Sequence, residues 1–206
     1  MEQTPKKHTE EAAAPVAGLL LAAGGGRRLG GRPKALLPHR GRPLVEHAVR
    51  ALREGGCGPV HVVLGAAAGQ VRERADLAGC AVVENPDWAQ GMGSSLRAGL
   101  ASLDGPGAAL VLLVDQPGIG ARAVARVLAE YGGSRSALAA AAYGGRRGHP
   151  VLLGADRWAE VARDAVGDRG ARAYLRAHEE EIALVECGDV AEPYDIDTPE
   201  DLSRLE

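Results

Sequence analysis

Large aromatic side chains are almost missing from this sequence. The chain contains no Phe, and aromatic residues make up only 3% of its 206 residues. A globular core must then be packed with Ala, Val and Leu, whose small size suits close packing of helices on a sheet. No apolar run approaches the about 20 residues that a membrane-spanning helix needs, so we expect no membrane partner.

The chain also has few cysteines and a small net charge. The three cysteines, Cys57, Cys80 and Cys187, are odd in number and far apart. This spacing fits neither a zinc site nor a secreted disulfide framework, and we interpret them as small buried residues in a reducing cytoplasm. A formal net charge of −3 provides no general basic field. It therefore argues against nucleic-acid binding while allowing a local basic site for a phosphorylated small molecule.

The length allows one domain with a full core and is short for two. Residues 1–15 are polar, charged and rich in Ala, and they lack the apolar stretch of a signal peptide. We therefore expect a disordered tail over 1–15, a single domain over 16–206, and a cytoplasmic location.

Short apolar segments alternate with amphipathic ones along the rest of the chain. Buried strands are predicted over 16–22, 60–64, 81–84 and 109–114, with weaker signals over 137–142, 151–153 and 182–186. Helices are predicted over 44–53, 94–103, 121–131, 156–163 and 170–178, and composition alone would also allow a helix over 137–142. The alternation predicts an α/β fold with a mostly parallel sheet covered by helices on both faces. Ligands of such sheets bind at the carboxyl ends of the strands, which would bring together the loops 23–34, 85–95 and 115–120.

The loop after the first strand has the composition of a phosphate-binding loop. Its glycines allow backbone N–H groups to approach an anion closely, and it carries four cations, Arg27, Arg28, Arg32 and Lys34. It is not a P-loop, because Ala35 rather than Ser or Thr follows Lys34, and it is not a dinucleotide fingerprint, because Leu29 replaces the third glycine. The alternative is a solvated basic turn.

Carboxylates follow the most apolar strand and recur near the end of the chain. Asp115 ends the run Leu-Leu-Val-Asp, where a carboxylate is a natural Mg²⁺ ligand or, alternatively, a turn former before Pro117. Asp195 and Asp197 are two residues apart, and we expect at most one of them to face a given site. Asp197 is the second metal-ligand candidate, and Thr198 is expected to cap a helix that follows it.

Two further segments carry weaker signals. Ser94 or Ser95 is expected to cap a helix, which would leave free N–H groups for a polar ligand or serve capping alone. The polar stretches 148–150 and 167–172 contain His149, which on its own would more often be structural than catalytic.

Together these motifs resemble a known family. The loop 21–34 is similar to the signature Leu-Ala-(Ala/Gly)-Gly-x-(Ser/Gly)-x-Arg-(Met/Leu)-Gly-x-x-x-Lys of the molybdenum-cofactor nucleotidyltransferases, which have the nucleotide-diphosphosugar transferase fold. Within that group the chain most resembles the molybdenum cofactor cytidylyltransferases. The supporting stretches are 85–100, 112–117, 147–152, 167–172 and 195–202, and together they span residues 18–204.

The resemblance implies transfer of CMP from CTP to molybdenum cofactor (molybdopterin) with release of pyrophosphate. Arg28 and Lys34 would hold the triphosphate, while Asp115 and Asp197 would hold Mg²⁺. The other nucleotide-binding positions would be Leu21, Ala22, Ala23, Gly24, Gly26, Ser94 and Ser95, and the acceptor-binding positions would be His149, Asp168 and Arg172. A molybdoenzyme of the xanthine dehydrogenase type would receive the product.

One residue of the loop bears on the choice of base. Ala23 matches the Leu-Ala-Ala-Gly of the cytidylyl group rather than the Leu-Ala-Gly-Gly of the guanylyl group, which favours CTP. The chain departs from the pattern in having Gly26 where Ser is common, which would remove a hydroxyl contact, and Leu29 where Met is usual.

Three alternatives remain open. The chain could transfer GMP to the same cofactor, or another nucleotide to a sugar phosphate or phospho-acid. It could also be a non-catalytic chaperone that binds the finished cofactor, although such a protein would have no need to keep Lys34, Asp115 and Asp197.

Overall fold

The computed structural model describes residues 14–205, and its centre is a seven-stranded sheet. In the order of their positions across the sheet, the strands are β5 (Cys80–Glu84), β4 (Val60–Leu64), β1 (Val16–Ala22), β6 (Ala108–Leu113), β8 (Arg146–Gly154), β7 (Leu138–Tyr143) and β9 (Ala183–Glu186). A separate two-stranded hairpin consists of β2 (Pro38–His39) and β3 (Arg42–Pro43). All neighbours in the large sheet are parallel except those that pair with β8. The predicted α/β fold with a mostly parallel sheet is confirmed.

Helices cover both faces of the sheet and form a core on each. They are α1 (Leu44–Glu54), α2 (Ala68–Arg74), α3 (Met92–Ala101), α4 (Ala121–Leu128), α5 (Trp158–Asp164) and α6 (Arg172–Ala177). Leu20 of β1 lies in the core formed with α1, α2 and α4. Leu19 and Leu21 lie in the opposite core, formed with α3, α5 and α6. Alternate residues of one strand thus serve the two faces, as a strand buried on both sides requires.

The cores have the composition that the lack of Phe predicts. Apart from Tyr174, the largest fully buried side chains are all leucines. Helix α3 packs closely on the sheet through Gly99, where a Cβ atom would lie 2.6 Å from Cδ1 of Leu19. Small residues at such contacts allow the helix axis to approach the strands.

The part of the sheet formed by β8 and β7 differs from the predicted pattern. The short predicted strand 151–153 lies in the second half of the nine-residue β8, which runs antiparallel to its neighbours. Gly144 and Gly145, with φ of 59° and 75°, form the tight turn from β7 into β8, a conformation typical of two-residue hairpins. The alternative of a helix over 137–142 is wrong, because this segment forms β7.

Several element boundaries also need correction. Strand β5 was expected to be buried but is an edge strand whose residues are partly exposed. Helix α2 and the β2–β3 hairpin were not predicted. The predicted helix 121–131 consists of α4 followed by a 3-10 turn over Ala129–Tyr131.

The described residues include only a small part of the N-terminal tail. The tail predicted over 1–15 lies outside the described residues except for Ala14 and Pro15, whose carbonyl accepts a hydrogen bond from Gly107 N (3.0 Å). Within residues 14–205, no helix is long and apolar enough to cross a membrane. The three cysteines are free thiols, of which Cys57 and Cys187 are buried and Cys80 is partly exposed.

Candidate functional site

The loops 23–34, 85–95 and 115–120 meet at the carboxyl ends of β1 and β6, as the fold predicts. They border a cavity of about 850 Å³. Its floor is apolar and includes Val111, Leu113 and Val151 from the central strands. Its rim contains the glycine-rich loop on one side and the segments 143–149 and 168–172 on the other.

Lys34 connects the two predicted metal-ligand carboxylates. Its Nζ donates hydrogen bonds to Oδ2 of Asp115, at 2.7 Å, and to Oδ1 of Asp197. Burial alone would lower the pKa of Lys34, but the charges and hydrogen bonds of Asp115 and Asp197 outweigh burial and raise the pKa above its usual value. The ammonium is therefore fully charged at neutral pH.

Backbone contacts hold the two carboxylates beside each other. Asp115 directly follows Val114, beyond the end of β6, and its carbonyl accepts a hydrogen bond from Ile196 N (2.9 Å). Ile196 is fully buried, which fixes the terminal segment against the sheet. The residues on either side of Ile196 are thereby brought to the carboxyl end of β6.

Thr198 directly precedes a helix as expected, but its hydroxyl donates to Asp201 instead of accepting a backbone N–H, so Asp201 supplies the main acceptor of this turn. Oδ2 of Asp201 accepts hydrogen bonds from Asp197 N (3.1 Å), Thr198 N (2.9 Å) and Thr198 Oγ1 (2.9 Å). The bonds from Thr198 and Asp197 lower the pKa of Asp201. The helix that follows is a 3-10 helix over Pro199–Leu205.

Asp195 was not nominated as a site residue, yet it lines the cavity together with Asp197. The expectation that only one of these two carboxylates faces the site is wrong, because residues two apart in an extended stretch point to the same side, and here Ile196 between them is buried while both aspartates border the cavity. Oδ1 of Asp195 accepts a hydrogen bond from Nε2 of Gln116 (2.8 Å). Burial raises the pKa of Asp195, and the charges of Asp115 and Asp197 add to the rise. The feature of the sequence that could have indicated this contact is Gln116, a polar residue directly after Asp115.

The glycine-rich loop places most of its predicted residues at the cavity. Leu21, Ala23, Gly24, Gly26 and Lys34 line it, as does Gly25. Ala22 does not, because its side chain lies in the core on the α1 side of the sheet.

Gly26 is required by the shape of this loop. Its φ is 61°, and a Cβ atom built there would lie 1.9 Å from the carbonyl oxygen of Arg32. Glycine is therefore needed both for the left-handed backbone and for the close approach of Arg32.

The two arginines of the loop differ in position. Arg28 was predicted to hold the triphosphate, but its side chain is 76% exposed and its Nη1 lies 3.7 Å from Oδ2 of Asp197. The neighbouring Arg27, which was not singled out, lines the cavity. Arg28 in this structure interacts with the carboxylate group rather than projecting into the cavity.

Ser94 and Ser95 do not cap a helix as predicted. Helix α3 begins at Met92, and Gly91 precedes it without a side-chain cap. The Ser94 hydroxyl is buried, where it donates to the carbonyls of Asp87 (2.9 Å) and Gly91 (2.8 Å), and only Ser95 lines the cavity.

Asn85 organises the buried side of this loop. Its Nδ2 donates to Oγ of Ser94 (2.9 Å) and of Ser95 (3.1 Å), and its Oδ1 accepts from Asp87 N (3.0 Å). Asn85 was not nominated, although a polar residue directly after a strand was the available signal.

Trp88 is a further site residue that was not predicted from the sequence. It lines the cavity, and a Cβ atom at Gly25 would lie 3.3 Å from its ring atom Cζ3. Trp88 thus packs against the glycine-rich loop.

The other side of the cavity contains the three predicted acceptor-binding residues, His149, Asp168 and Arg172. His149 lies on β8 rather than in a loop, and its carbonyl accepts a hydrogen bond from Tyr143 Oη (2.7 Å). Burial lowers the pKa of His149 to about 4, and the charge of Arg172 contributes. His149 is therefore neutral at pH 7. Three more cations border this side of the cavity, Arg146, Arg147 and Arg169.

The carboxylates of this site fit a hard divalent cation. Oxygen ligands from one or two carboxylates, completed by water and substrate phosphates, are what Mg²⁺ prefers. Asp115 and Asp197 supply such oxygens. In the part of the chain that the structure describes, no three His, Cys, Asp or Glu side chains are grouped to hold a metal on their own.

Comparison with known proteins identifies the family. Residues 18–182 match the MobA-like NTP transferase domain. The chain is 45% identical over 197 residues to nicotine blue oxidoreductase of Paenarthrobacter nicotinovorans, with 92% of this chain and 96% of that protein covered.

Solved structures agree. A homologue of Mycobacterium tuberculosis Rv0371c from Mycobacterium sp. strain JC1 is 33% identical, with a TM-score of 0.80 and 92% and 94% of the two chains covered. The manganese complex of Rv0371c from M. tuberculosis H37Rv is 27% identical, with a TM-score of 0.76 and coverage of 93% and 97%. The fold is that of the nucleotidyltransferases, and the chain belongs to the family of MobA-like NTP transferase domains.

Proposed function

We propose that this protein transfers CMP from CTP to molybdenum cofactor, with Mg²⁺ as the metal and pyrophosphate as the second product. The observation that carries the proposal is the contact of Lys34 with both Asp115 and Asp197, beside a glycine-rich loop that borders the cavity. A cation and a pair of hard-metal ligands next to exposed backbone amides form a site for a metal-bound triphosphate.

The proposed reaction depends mainly on how the protein positions the two reactants. An oxygen of the acceptor phosphate forms a bond to the α-phosphorus of CTP as the bond from that phosphorus to the β-phosphate oxygen breaks, and pyrophosphate leaves with the electron pair. Since both reactants are anions, their repulsion must be offset by fixed positive charge, and little covalent work is left to the protein.

The residues of this chain supply that charge. Lys34 would bind the triphosphate, and the N–H groups around Gly24 and Gly26 would approach its oxygens. Asp115 and Asp197 would hold Mg²⁺, which when bound neutralises phosphate charge. Direct transfer between the two phosphates needs no protein nucleophile.

The proposed choice of CTP is supported by Ala23. Its methyl group borders the cavity, where the guanylyl group of the resembled family has only a hydrogen atom. The extra carbon reduces the space beside the first strand, which favours a pyrimidine over the larger purine.

The proposed acceptor is a phosphorylated small molecule, molybdopterin in its molybdenum-bound form. An apolar floor and the cations Arg146, Arg147, Arg169 and Arg172 suit an extended ring system with negative charge. A molybdoenzyme of the xanthine dehydrogenase type would then receive the cytidylylated cofactor.

A second candidate function is an oxidoreductase activity. The observation that favours it is the 45% identity to nicotine blue oxidoreductase, which extends over nearly the full length of both proteins. The two candidates make different demands on the site, because electron transfer to a dye needs neither Lys34 nor the two carboxylates.

A paired assay separates the candidates. Pyrophosphate release is measured with CTP, GTP or ATP, with Mg²⁺, and with or without molybdenum cofactor; in parallel, the absorbance of nicotine blue is followed with NADH as the added reductant. We expect cofactor-dependent turnover of CTP alone, which the Asp115→Asn variant should lose. Turnover with GTP or only with a sugar phosphate would overturn the proposed substrates. Reduction of nicotine blue without pyrophosphate release, or binding of molybdenum cofactor without turnover, would overturn nucleotidyl transfer itself.

A further inference from the structure

Lys34 occupies an unexpected position for a residue that binds phosphate. Its ammonium group contacts Asp115 and Asp197 together, and these are the two carboxylates proposed to bind the metal. Its side chain is only 15% exposed, so the ion pair is largely shielded from water. A phosphate-binding lysine that simply waited for its ligand would project into the open cavity.

An ammonium group and a divalent metal ion compete for such a site. Both are compact cations that are attracted to the same carboxylate oxygens, and two cations this close repel each other. While Lys34 donates hydrogen bonds to Asp115 and Asp197, the lone pairs that these oxygens would offer to a metal are partly used.

The lysine is free to leave, whereas the two aspartates are short side chains on a fixed backbone. Lys34 has a flexible four-carbon stem, and its charge can move several ångströms without any backbone change. The backbone of Asp115 is held by the hydrogen bond from Ile196 N to its carbonyl, and that of Asp197 by the hydrogen bond from its N–H to Asp201. Any exchange of cations at this site therefore moves the lysine.

Arg28 cannot perform the same role. It lies 3.7 Å from Asp197 only, and with a side chain that is 76% exposed its interaction is weakened by water and salt. In the part of the chain described, the ion pairs that join both carboxylates are those of Lys34.

We propose that Lys34 holds the place of the metal ion in the nucleotide-free protein, so that the metal binds well only after a triphosphate has drawn the ammonium away. The inference rests on the proposed function, since the triphosphate is that of the nucleotide substrate. By linkage, metal and nucleotide then increase each other's affinity. Such coupling prevents the carboxylates from trapping a metal ion in a form that cannot react.

The test measures binding of Mn²⁺ alone, without nucleotide, from the loss of the electron paramagnetic resonance signal of free Mn²⁺. Lys34→Met removes the charge and keeps the length of the side chain, and we expect it to bind Mn²⁺ at least tenfold more tightly than the unmodified protein. Lys34→Arg keeps the charge and should bind as weakly as the unmodified protein. Arg32→Met is the matched control, because it removes a cation of the same loop whose Nε donates to the Leu29 carbonyl (3.1 Å) and which forms no ion pair with another described residue; its Mn²⁺ affinity should change less than twofold.

Two results would overturn the proposal. One is Mn²⁺ binding by Lys34→Met that is no tighter than that of the unmodified protein; the other is an equal gain in Arg32→Met, which would show a general charge effect. Adding Asp115→Asn to Lys34→Met should abolish the gain, and a retained gain would mean that Mn²⁺ binds elsewhere. If Lys34→Met does not fold, Lys34→Gln provides the same comparison.

This measurement is independent of turnover. A tenfold gain in a protein that releases no pyrophosphate from CTP would retain the role of Lys34 and refute the proposed function. Normal turnover of CTP together with no gain in Mn²⁺ affinity would support the proposed function and refute the role of Lys34.

Discussion

Replacing Asn85 by Ala tests how the loop beside the cavity is held. The Asn85 side chain is buried and makes three hydrogen bonds, to Ser94 Oγ, to Ser95 Oγ and from Asp87 N. Ala cannot make any of them. The Ser94 hydroxyl would still have the carbonyls of Asp87 and Gly91 as acceptors, whereas the buried Ser95 hydroxyl would lose the one hydrogen bond that it makes among the described residues.

The magnitude follows from these contacts. Each hydrogen bond contributes about 1 kcal/mol to the free energy of unfolding, so the loss should be about 3 kcal/mol. For a domain of this size, about 3 kcal/mol corresponds to a decrease in Tm of about 6–12 °C. Because the same loop carries Trp88, which packs near Gly25, we also expect the KM for CTP to rise several-fold.

Urea unfolding followed by circular dichroism measures the first effect and steady-state kinetics the second. Gln90→Ala is the matched control, because Gln90 lies in the same loop and its hydrogen bond to Asp87 Oδ1 (2.9 Å) is exposed to solvent. The control should change the free energy of unfolding by less than about 0.5 kcal/mol. A loss below about 1 kcal/mol for Asn85→Ala would refute the reasoning, since it would mean that the buried network does not hold the loop.

Four further predictions concern the cavity. Lys34→Ala should lose most CTP turnover while the circular dichroism spectrum is retained, and near-normal turnover would exclude Lys34 from the site. Gly26→Ser should raise the KM for CTP about tenfold and destabilise the protein by more than the about 1–2 kcal/mol that the left-handed conformation alone costs, because φ is 61° and the new Cβ also meets the Arg32 carbonyl oxygen; unchanged kinetics would show that the loop adapts. Ala23→Gly should increase the ratio of GTP to CTP turnover, and an unchanged ratio would mean that this methyl group does not select the base. His149 is neutral in the folded protein with a pKa of about 4, whereas the unfolded chain takes up a proton near pH 6.5, so stability falls as the pH decreases from 6.5 towards 4. Between pH 6.5 and 4.5, His149→Gln should therefore lose about 2 kcal/mol less stability than the unmodified protein in urea unfolding, and equal losses would contradict this origin.

Strands β1 and β4 could be predicted from the sequence to the residue, and β6 to within one residue. β1 and β4 lie inside the sheet and are mostly buried, so their positions are apolar or small except for His61 of β4, which is partly buried. The edge strand β5 shows the limit, because its apolar residues suggested burial while its place at the sheet edge leaves them partly exposed. Position in a sheet depends on pairing between distant segments, which a local pattern does not record.

The first half of the antiparallel β8 was missed for a related reason. Its first residues, Arg146 to His149, are polar or small because they border the cavity, and they resembled a loop. Only the apolar end of the strand produced a signal. Residues that border a polar cavity are polar, whereas a buried strand is usually apolar. The polar composition of these residues therefore did not indicate a strand.

The carboxylate site was predicted in part. Asp115 and Asp197 could be found because one follows an apolar strand and the other precedes a capped turn. Their bridging by Lys34 depends on how three distant segments fold together, as does the presence of Asp195 in the same cavity. Ser94 shows the converse, since a hydroxyl near a predicted helix start proved to lie in a buried network around Asn85.

Transfer of a labelled nucleotide is the most direct measurement of what this protein does. The protein is incubated with Mg²⁺, molybdenum cofactor and CTP labelled at the α-phosphorus, and the acceptor is separated from CTP. We predict that label appears in the acceptor in an amount equal to the pyrophosphate released, and that neither product forms with Lys34→Ala. Pyrophosphate-free conversion of the acceptor, or label that remains entirely in CTP while nicotine blue is reduced in the parallel assay, would contradict nucleotidyl transfer as the function of this site.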